Sequence, residues 1–255
     1  MTQLDDVQIK EVVRERYGAL ARDSADSCCA TDCCSDNGSE MDSIMTLYAS
    51  DQTEGLPAEA IAASAGCGNP LAIGTLQAGE TVVDFGSGGG IDCFIAAKAV
   101  GEQGRVVGID MTEDMINLAR SNARQLGLSN VEFHLSEMES TPLEGDSVDA
   151  IISNCVINLA PDKDLVFREA FRILRPGGRL MVSDLVKIEE IPQEEAEDTA
   201  NWVSCLAGTE MKEVYLGRMK SAGFTDVQVT SSAPWREEGW QSNIHSMGIS
   251  AVKPV

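Results

Sequence analysis

Basic residues and histidine are scarce in this chain of 255 residues: 19 Lys and Arg stand against 41 Asp and Glu, and the histidines are His134 and His245 alone. A formal net charge of −22 argues against nucleic acid or an anionic membrane surface as a main partner, since both need a positive footprint. Two histidines leave little material for a His-based catalytic metal centre. No run of about 18 apolar residues, the length of a membrane-spanning helix, occurs in the sequence. The N-terminal MTQLDDVQIKEVVRERYG has no apolar core of the kind a secretory signal carries. The expectation is therefore a cytoplasmic protein without a membrane partner. Its acid is spread along the chain, which suits a salt-rich cytoplasm or simply a soluble acidic protein. What the chain does have is eight cysteines. In a reducing compartment these point to metal, redox or nucleophilic chemistry before disulfides.

Hydrophobic periodicity predicts a helix over 5–22, where Ile9, Val13, Tyr17 and Leu20 recur on one face. The polar SADSCCATDCCSDNGSE that follows has little to bury and reads as a loop or arm. From residue 81 the pattern alternates: strands TVVDFG, RVVGID, VEFHLS, DAIISNCVI (149–157) and RLMVSDLV, separated by helices IDCFIAAKAV, EDMINLARSNARQLG and LVFREAFRILR. The last of these helices is expected to stop at Pro176-Gly177-Gly178. Near-continuous apolar strands alternating with helices predict an α/β fold, a doubly wound, mostly parallel Rossmann-like sheet. The acidic stretch 188–209 interrupts this rhythm as a lid before a final helix and two strands. Three regions are expected: 1–65, holding the helix, Cys-rich arm and linking region; 66–187, the core; and 188–255, the lid and last strands.

The string VVDFGSGGGID places Gly86, Gly88 and Gly90 between a strand and a helix, where glycine permits a tight turn and close backbone approach to a ligand. The spacing departs from the dinucleotide G-x-G-x-x-G, because the third glycine place falls on Ile91 or Cys93. Asp84 precedes the turn, and Asp110 ends the next strand 24 residues beyond Gly86, where a carboxylate can accept both hydrogen bonds of a ribose diol. This pattern resembles the first two motifs of class I S-adenosylmethionine methyltransferases. The resemblance implies Asp84 near the methionine moiety and Asp110 on the ribose. Glu137 and Met138 fall where the family's third strand meets adenine, and Ser87, Met111 and Asn154 complete the implied cofactor set.

Three cysteines stand apart from the arm: Cys67 in AGCGNPLA, Cys155 in SNCVINL and Cys205 in WVSCLAG, none in C-x-x-C spacing. Cys155 falls at the carboxyl end of a strand, where open α/β sheets bind ligands. Cys93, on the helix after the glycine turn, reads as a small buried hydrophobe. Tyr48 covers the cofactor or packs in the core. The strings GCGNPLA, VVDFGSGGGIDCF, VDAIISNCVINL, VFREAFRILRPGGRL and VSCLAG, spread over roughly residues 40–225, resemble the arsenite S-adenosylmethionine methyltransferases.

That resemblance implies Cys67, Cys155 and Cys205 as thiolate ligands of As(III), with arsenite and methylarsenic(III) as substrates. As(III) is soft and thiophilic. Held by three sulfurs it keeps a lone pair able to attack a sulfonium methyl, so no general base is needed. Mono- and dimethylated arsenicals are the expected products, with a thiol reductant such as thioredoxin or glutathione assisting and thioredoxin as a candidate partner. Cys28, Cys29, Cys33 and Cys34 either capture As(III) or form a solvated tail. A monomer is expected. Two other readings stay open: a class I methyltransferase for another small molecule, and a thiol-rich metalloid-binding protein with a structural core.

Overall fold

Five apolar segments form the parallel part of a sheet: β1 (Thr81–Phe85), β2 (Arg105–Asp110), β3 (Val131–Leu135), β4 (Val148–Asn154) and β5 (Leu174–Lys187). The computed structural model describes residues 5–26, 47–48, 50–196, 206 and 208–255. Cys28, Cys29, Cys33, Cys34 and Cys205 lie outside the described residues. The chain then adds β6 (Thr225–Pro234) and β7 (Ile244–Val252), giving the order β3-β2-β1-β4-β5-β7-β6. β7 runs antiparallel to both its neighbours, β5 and β6. This is the expected doubly wound α/β sheet, and its final strands, beyond the region of the lid, complete the same layer as the core.

The helices are α1 (Asp6–Asp26), α2 (Ser50–Thr53), α3 (Ala58–Ala62), α4 (Ile91–Val100), α5 (Glu113–Leu126), α6 (Lys163–Ile173), α7 (Gln193–Ala196) and α8 (Lys212–Ser221). Helix α4 is apolar almost all round, as a helix covered on both sides must be. It shares one buried cluster with Tyr48, Leu56 and Ala60. Helix α6 is capped by Asp162, whose carboxylate accepts hydrogen bonds from Asp164 N (2.9 Å) and Leu165 N (3.2 Å).

Two boundaries differ from the sequence expectation. Helix α6 ends at Ile173, before Pro176-Gly177-Gly178, because Leu174 is already extended and pairs with Val148. The residue before a proline is disfavoured in helix, so Arg175 could not have prolonged it. Strand β4 ends at Asn154, short of 157, because Cys155 adopts a left-handed conformation with φ 58°. That turn redirects the chain into the short helical turn Ile157–Leu159.

Helix α1 lies against α5 and the carboxyl ends of the strands. Ile9 and Val13 are buried with Cys67 and Cys155, whereas Ala21 packs with Met115 and Leu118. Lys10 pairs with Glu137 (2.6 Å) and Glu139 (2.8 Å), Arg14 with Glu137 (2.7 Å), and Arg22 with Asp114. Part-exposed pairs of this kind fix orientation more than they stabilise. The opposite edge is tied by Lys253, whose Nζ donates to Asp146 Oδ1 (2.6 Å) and to the carbonyls of Phe171 (2.8 Å) and Leu174 (2.6 Å). No helix among the described residues is long and apolar enough to cross a membrane.

Phe94 is fully buried in α4 and meets Phe133 edge-on, with ring centroids 6.1 Å apart. Phe94→Ala is expected to destabilise the protein by about 3–5 kcal/mol, the usual range for deleting a buried aromatic ring. Urea unfolding of the two proteins checks this.

Candidate active site

The strand order reverses between β1 and β4, and the crevice beyond their carboxyl ends is where such sheets take ligands. A cleft of about 900 Å³, counted to its open mouth, occupies that place. Its floor is the glycine turn. Gly86 N and Ser87 N both donate to Ile109 O, at 2.8 and 3.0 Å, folding the turn onto β2. Gly86 has φ 73° and lies so close to Val156 that a Cβ would sit 2.5 Å from its side chain. Gly88 has φ 50°, the nearest atom to a Cβ there would be Ala63 O at 4.0 Å, and its N–H donates to Asp110 Oδ2 at 3.0 Å. Asp110 Oδ1 accepts from Thr112 N at 2.8 Å, so the carboxylate is fixed at the rim.

Of the residues expected to hold a cofactor, Gly86, Ser87, Gly88, Asp110, Met111, Met138 and Asn154 line the cleft, as does Cys155. Ser87 Oγ is buried without a hydrogen-bond partner among the described residues, an orphan that a ligand would satisfy. The open face at Gly88, the oriented Asp110 and this hydroxyl fit a nucleoside-bearing cofactor such as S-adenosylmethionine.

Three expected residues do not line the cleft. Asp84 lies beneath the turn, where its Oδ2 accepts a hydrogen bond from the Cys93 thiol at 3.3 Å; Cys93 is buried, yet has this polar role. Gly90 caps α4 against the Phe94 ring. Glu137 turns to Lys10 and Arg14. The positions that the sequence reading missed include Lys10, Tyr17, Ser64, Asp92 and Glu139, all on the cleft wall. Asp92 was legible as an acid placed directly after the glycine turn. The contributions of α1 carried no local signal, because they depend on where that helix docks.

Asp92, and not Asp84, lines the cleft. Burial pushes its carboxyl up to about 6, against hydrogen bonds from Asn154 and Tyr48 that pull it down. Burial and the Asp92 charge push the Asp84 carboxyl well up, so this pair shares a proton more readily than it bears two charges. Tyr48 is buried in the core with its hydroxyl on Asp92 Oδ1 at 3.0 Å. Asn154 joins these groups to the Cys67 loop. Its Nδ2 donates to Gly68 O (2.8 Å), Tyr48 Oη (3.0 Å) and Asp92 Oδ2 (3.2 Å), and its Oδ1 accepts from Cys67 N (3.2 Å). A Cβ on Gly66 or Gly68 would overlap Asn154 or Ser183, so glycines flanking Cys67 let this loop press onto the strand ends.

The consequence is that Cys67 and Cys155, 88 positions apart in sequence, meet. One donor atom from each lies with an Asp184 carboxylate oxygen so that all three are within 4.8 Å of one another. Both thiols are buried, in a cluster with Leu159, Leu185, Ile191 and Leu206. Leu206 is the neighbour in sequence of Cys205. Asp184 is wholly buried: its Oδ1 accepts from Asn158 Nδ2 (2.8 Å) and Leu185 N (2.9 Å), and its Oδ2 from Tyr215 Oη (3.0 Å). An acid inside the apolar strand RLMVSDLV was the available signal for it. Burial pushes this carboxyl up to about 7, more than those hydrogen bonds and the nearby Lys163 charge pull it down.

A family model described as "Methyltransferase domain" matches residues 76–245. An arsenite methyltransferase of Halobacterium salinarum is 39% identical over 234 residues, 88% of this chain and 59% of that protein. The human arsenite methyltransferase is 32% identical, over 82% of this chain and 56% of that protein. The chain thus spans about three fifths of the length of the curated relatives it matches. The crystal structure of an arsenic(III) S-adenosylmethionine methyltransferase from Chlamydomonas reinhardtii superimposes with a TM-score of 0.65 at 32% identity, covering 84% of this chain and 73% of that one.

The titration of Asp184 has a stability consequence. The folded protein keeps a proton there up to about pH 7, whereas the unfolded chain releases it near 3.8. Its contribution to stability is therefore present in acid and lost as pH rises through that window. Asp184→Asn, which does not titrate, should lose less stability than the unsubstituted protein between about pH 4 and about 7. Urea unfolding across that range checks the slope.

Proposed function

The chain belongs to the arsenic(III) S-adenosylmethionine methyltransferases within the methyltransferase-domain family, and on that premise we propose that it methylates thiolate-held trivalent arsenic. The observation that carries the proposal is the meeting of Cys67 and Cys155 at the edge of the cleft whose floor is the glycine turn. Cys205 is the third thiolate in this reading, supported by the burial of its neighbour Leu206 among the same side chains.

S-adenosylmethionine supplies a methyl group on a positively charged sulfur. Asp110 is oriented to accept the hydrogen bonds of its ribose, Met138 lies at the adenine end, and the Gly86–Gly88 turn admits it closely. Asp92 and Asp110 place carboxyl groups on the cleft wall, and such a wall favours a cationic donor over its neutral product. Cys155 belongs to both the cleft wall and the thiol cluster, so acceptor and donor share one boundary. The arsenic lone pair is the nucleophile, and the protein's work is to hold the two partners in line and keep water out. No side chain need remove a proton from arsenic.

The substrates are arsenite and then methylarsenic(III), in a cytoplasmic setting, with a thiol such as glutathione or thioredoxin renewing the cysteines. Cys28, Cys29, Cys33 and Cys34 act in capture of As(III). The chain acts as a monomer.

Chromatographic speciation of arsenic after incubation with labelled S-adenosylmethionine, As(III) and a thiol tests the function directly; absence of methylarsenicals would overturn it. Cys155→Ser and Cys205→Ser are each expected to lower methylation by about a hundredfold or more, the scale of a misplaced reacting group. Cys67→Ser is expected to abolish methylation of arsenite while sparing that of methylarsenic(III), which needs two thiolates. Equal loss on both substrates would remove this division of labour.

A further inference from the structure

Asp184 is left idle by arsenic chemistry. As(III) is satisfied by sulfur, yet a wholly buried carboxylate shares the 4.8 Å cluster with the sulfurs of Cys67 and Cys155. Borderline divalent cations have a different preference: Zn²⁺ takes thiolate and carboxylate in one tetrahedron. Zn–S bonds of about 2.3 Å in a tetrahedron separate two sulfurs by about 3.8 Å. From the span observed the two sulfurs would need to draw together by no more than about 1 Å, and sulfur and oxygen by no more than about 1.3 Å.

The surroundings of Asp184 are also those of a ligand. A carboxylate offers about four lone-pair directions. Two on Oδ1 are used by Asn158 Nδ2 and Leu185 N, and one on Oδ2 by Tyr215 Oη. One remains on Oδ2. Asn158 and Tyr215 thus orient the carboxylate as outer-shell partners orient metal ligands. Asn158 Oδ1 is itself buried without a hydrogen-bond partner among the described residues, a gap that a water or an ion relieves. Cys155, on the cleft wall, gives an entering ion a path.

We propose that Cys67, Cys155 and Asp184 form a two-sulfur, one-oxygen site for a single thiophilic divalent cation of the Zn²⁺ or Cd²⁺ type, and that such a cation excludes trivalent arsenic from the same sulfurs. On coordination each thiol gives up its proton to solvent, and so does the Asp184 carboxyl wherever it is protonated. The cation site stands on the geometry alone; only the exclusion of arsenic rests on the function proposed above.

The test uses the reduced full chain carrying Cys28→Ser, Cys29→Ser, Cys33→Ser and Cys34→Ser, so that arm thiols do not compete. Cd²⁺ is titrated while the ultraviolet cadmium–thiolate charge-transfer band is followed. One Cd²⁺ per chain is expected, with affinity reduced about tenfold or more by Asp184→Asn, reduced by Cys67→Ser, and unchanged by Cys205→Ser. Added As(III) should abolish the band. No band, undiminished affinity in Asp184→Asn, or equal losses in Cys205→Ser and Cys67→Ser would overturn the site. Should Asp184→Asn fail to fold, cadmium NMR of the folded background protein decides between two sulfurs with oxygen, which supports the site, and three sulfurs, which refutes it. If Cd²⁺ binds as expected but As(III) neither binds nor displaces it, the cation site stands and the exclusion of arsenic falls together with the arsenic reading.

Discussion

A non-glycine residue in the left-handed region gives up about 1–2 kcal/mol, and Cys155 sits there, with φ 58°, at the end of β4. The strain is held by its surroundings: Cys155 N donates to Ser183 O at 2.7 Å, and the preceding Asn154 is fixed by hydrogen bonds to three other segments. The turn determines where the thiol stands. Had β4 continued in extended form to residue 157, successive side chains would have alternated between the two faces of the sheet. The left-handed turn instead puts the thiol of Cys155 beside that of Cys67 while keeping it on the cleft wall. Tyr48, Asp92 and the Cys67 loop all depend on the same corner, because Asn154 is their common partner.

The buried acids beneath the cleft belong to the same design. Asp84 and Asp92 are shielded from water and Asp110 is partly so, and burial raises all three carboxyls. Such groups are unfavourable unless paired or hydrogen-bonded. Asp110 has backbone amides and Asp92 has Tyr48 and Asn154, but no cation reaches either within the described residues. A cleft that keeps unneutralised acid near its wall is organised for a ligand that brings positive charge with it.

The order of strands and the position of the glycine turn were legible because they rest on local signals: apolar runs, Gly86 and Gly88 after a strand, Asp110 at the end of the next. Cys67 and Cys155 could be named from their settings, but their meeting could not be derived from spacing, since it depends on glycines at 66 and 68 and on a backbone turn at 155 that no propensity announces. That Asp84 and Glu137 stand off the cleft wall was hidden for a related reason. Each is near the expected place along the chain, but Asp84 is drawn under the turn by Cys93, and Glu137 is drawn outward by Lys10 and Arg14. Docking of α1 decides the second case, and the sequence of α1 reads only as an amphipathic helix.

The setting of the thiols also bears on selectivity. Cys67 and Cys155 are surrounded by Leu159, Leu185, Ile191 and Leu206, with Trp235 and Trp240 packed alongside. Moving isolated anions into such surroundings is strongly unfavourable. Three thiolates on As(III) form a neutral complex, which the apolar wall tolerates. Two thiolates and a carboxylate on a divalent cation keep one negative charge, which needs a local counter-charge. Lys163, buried and near enough to act on Asp184, supplies it. On the two proposals above, the same few side chains would answer two kinds of thiophile by different charge balances, and the methyl acceptor would be distinguished by needing no charge from the protein beyond its sulfurs.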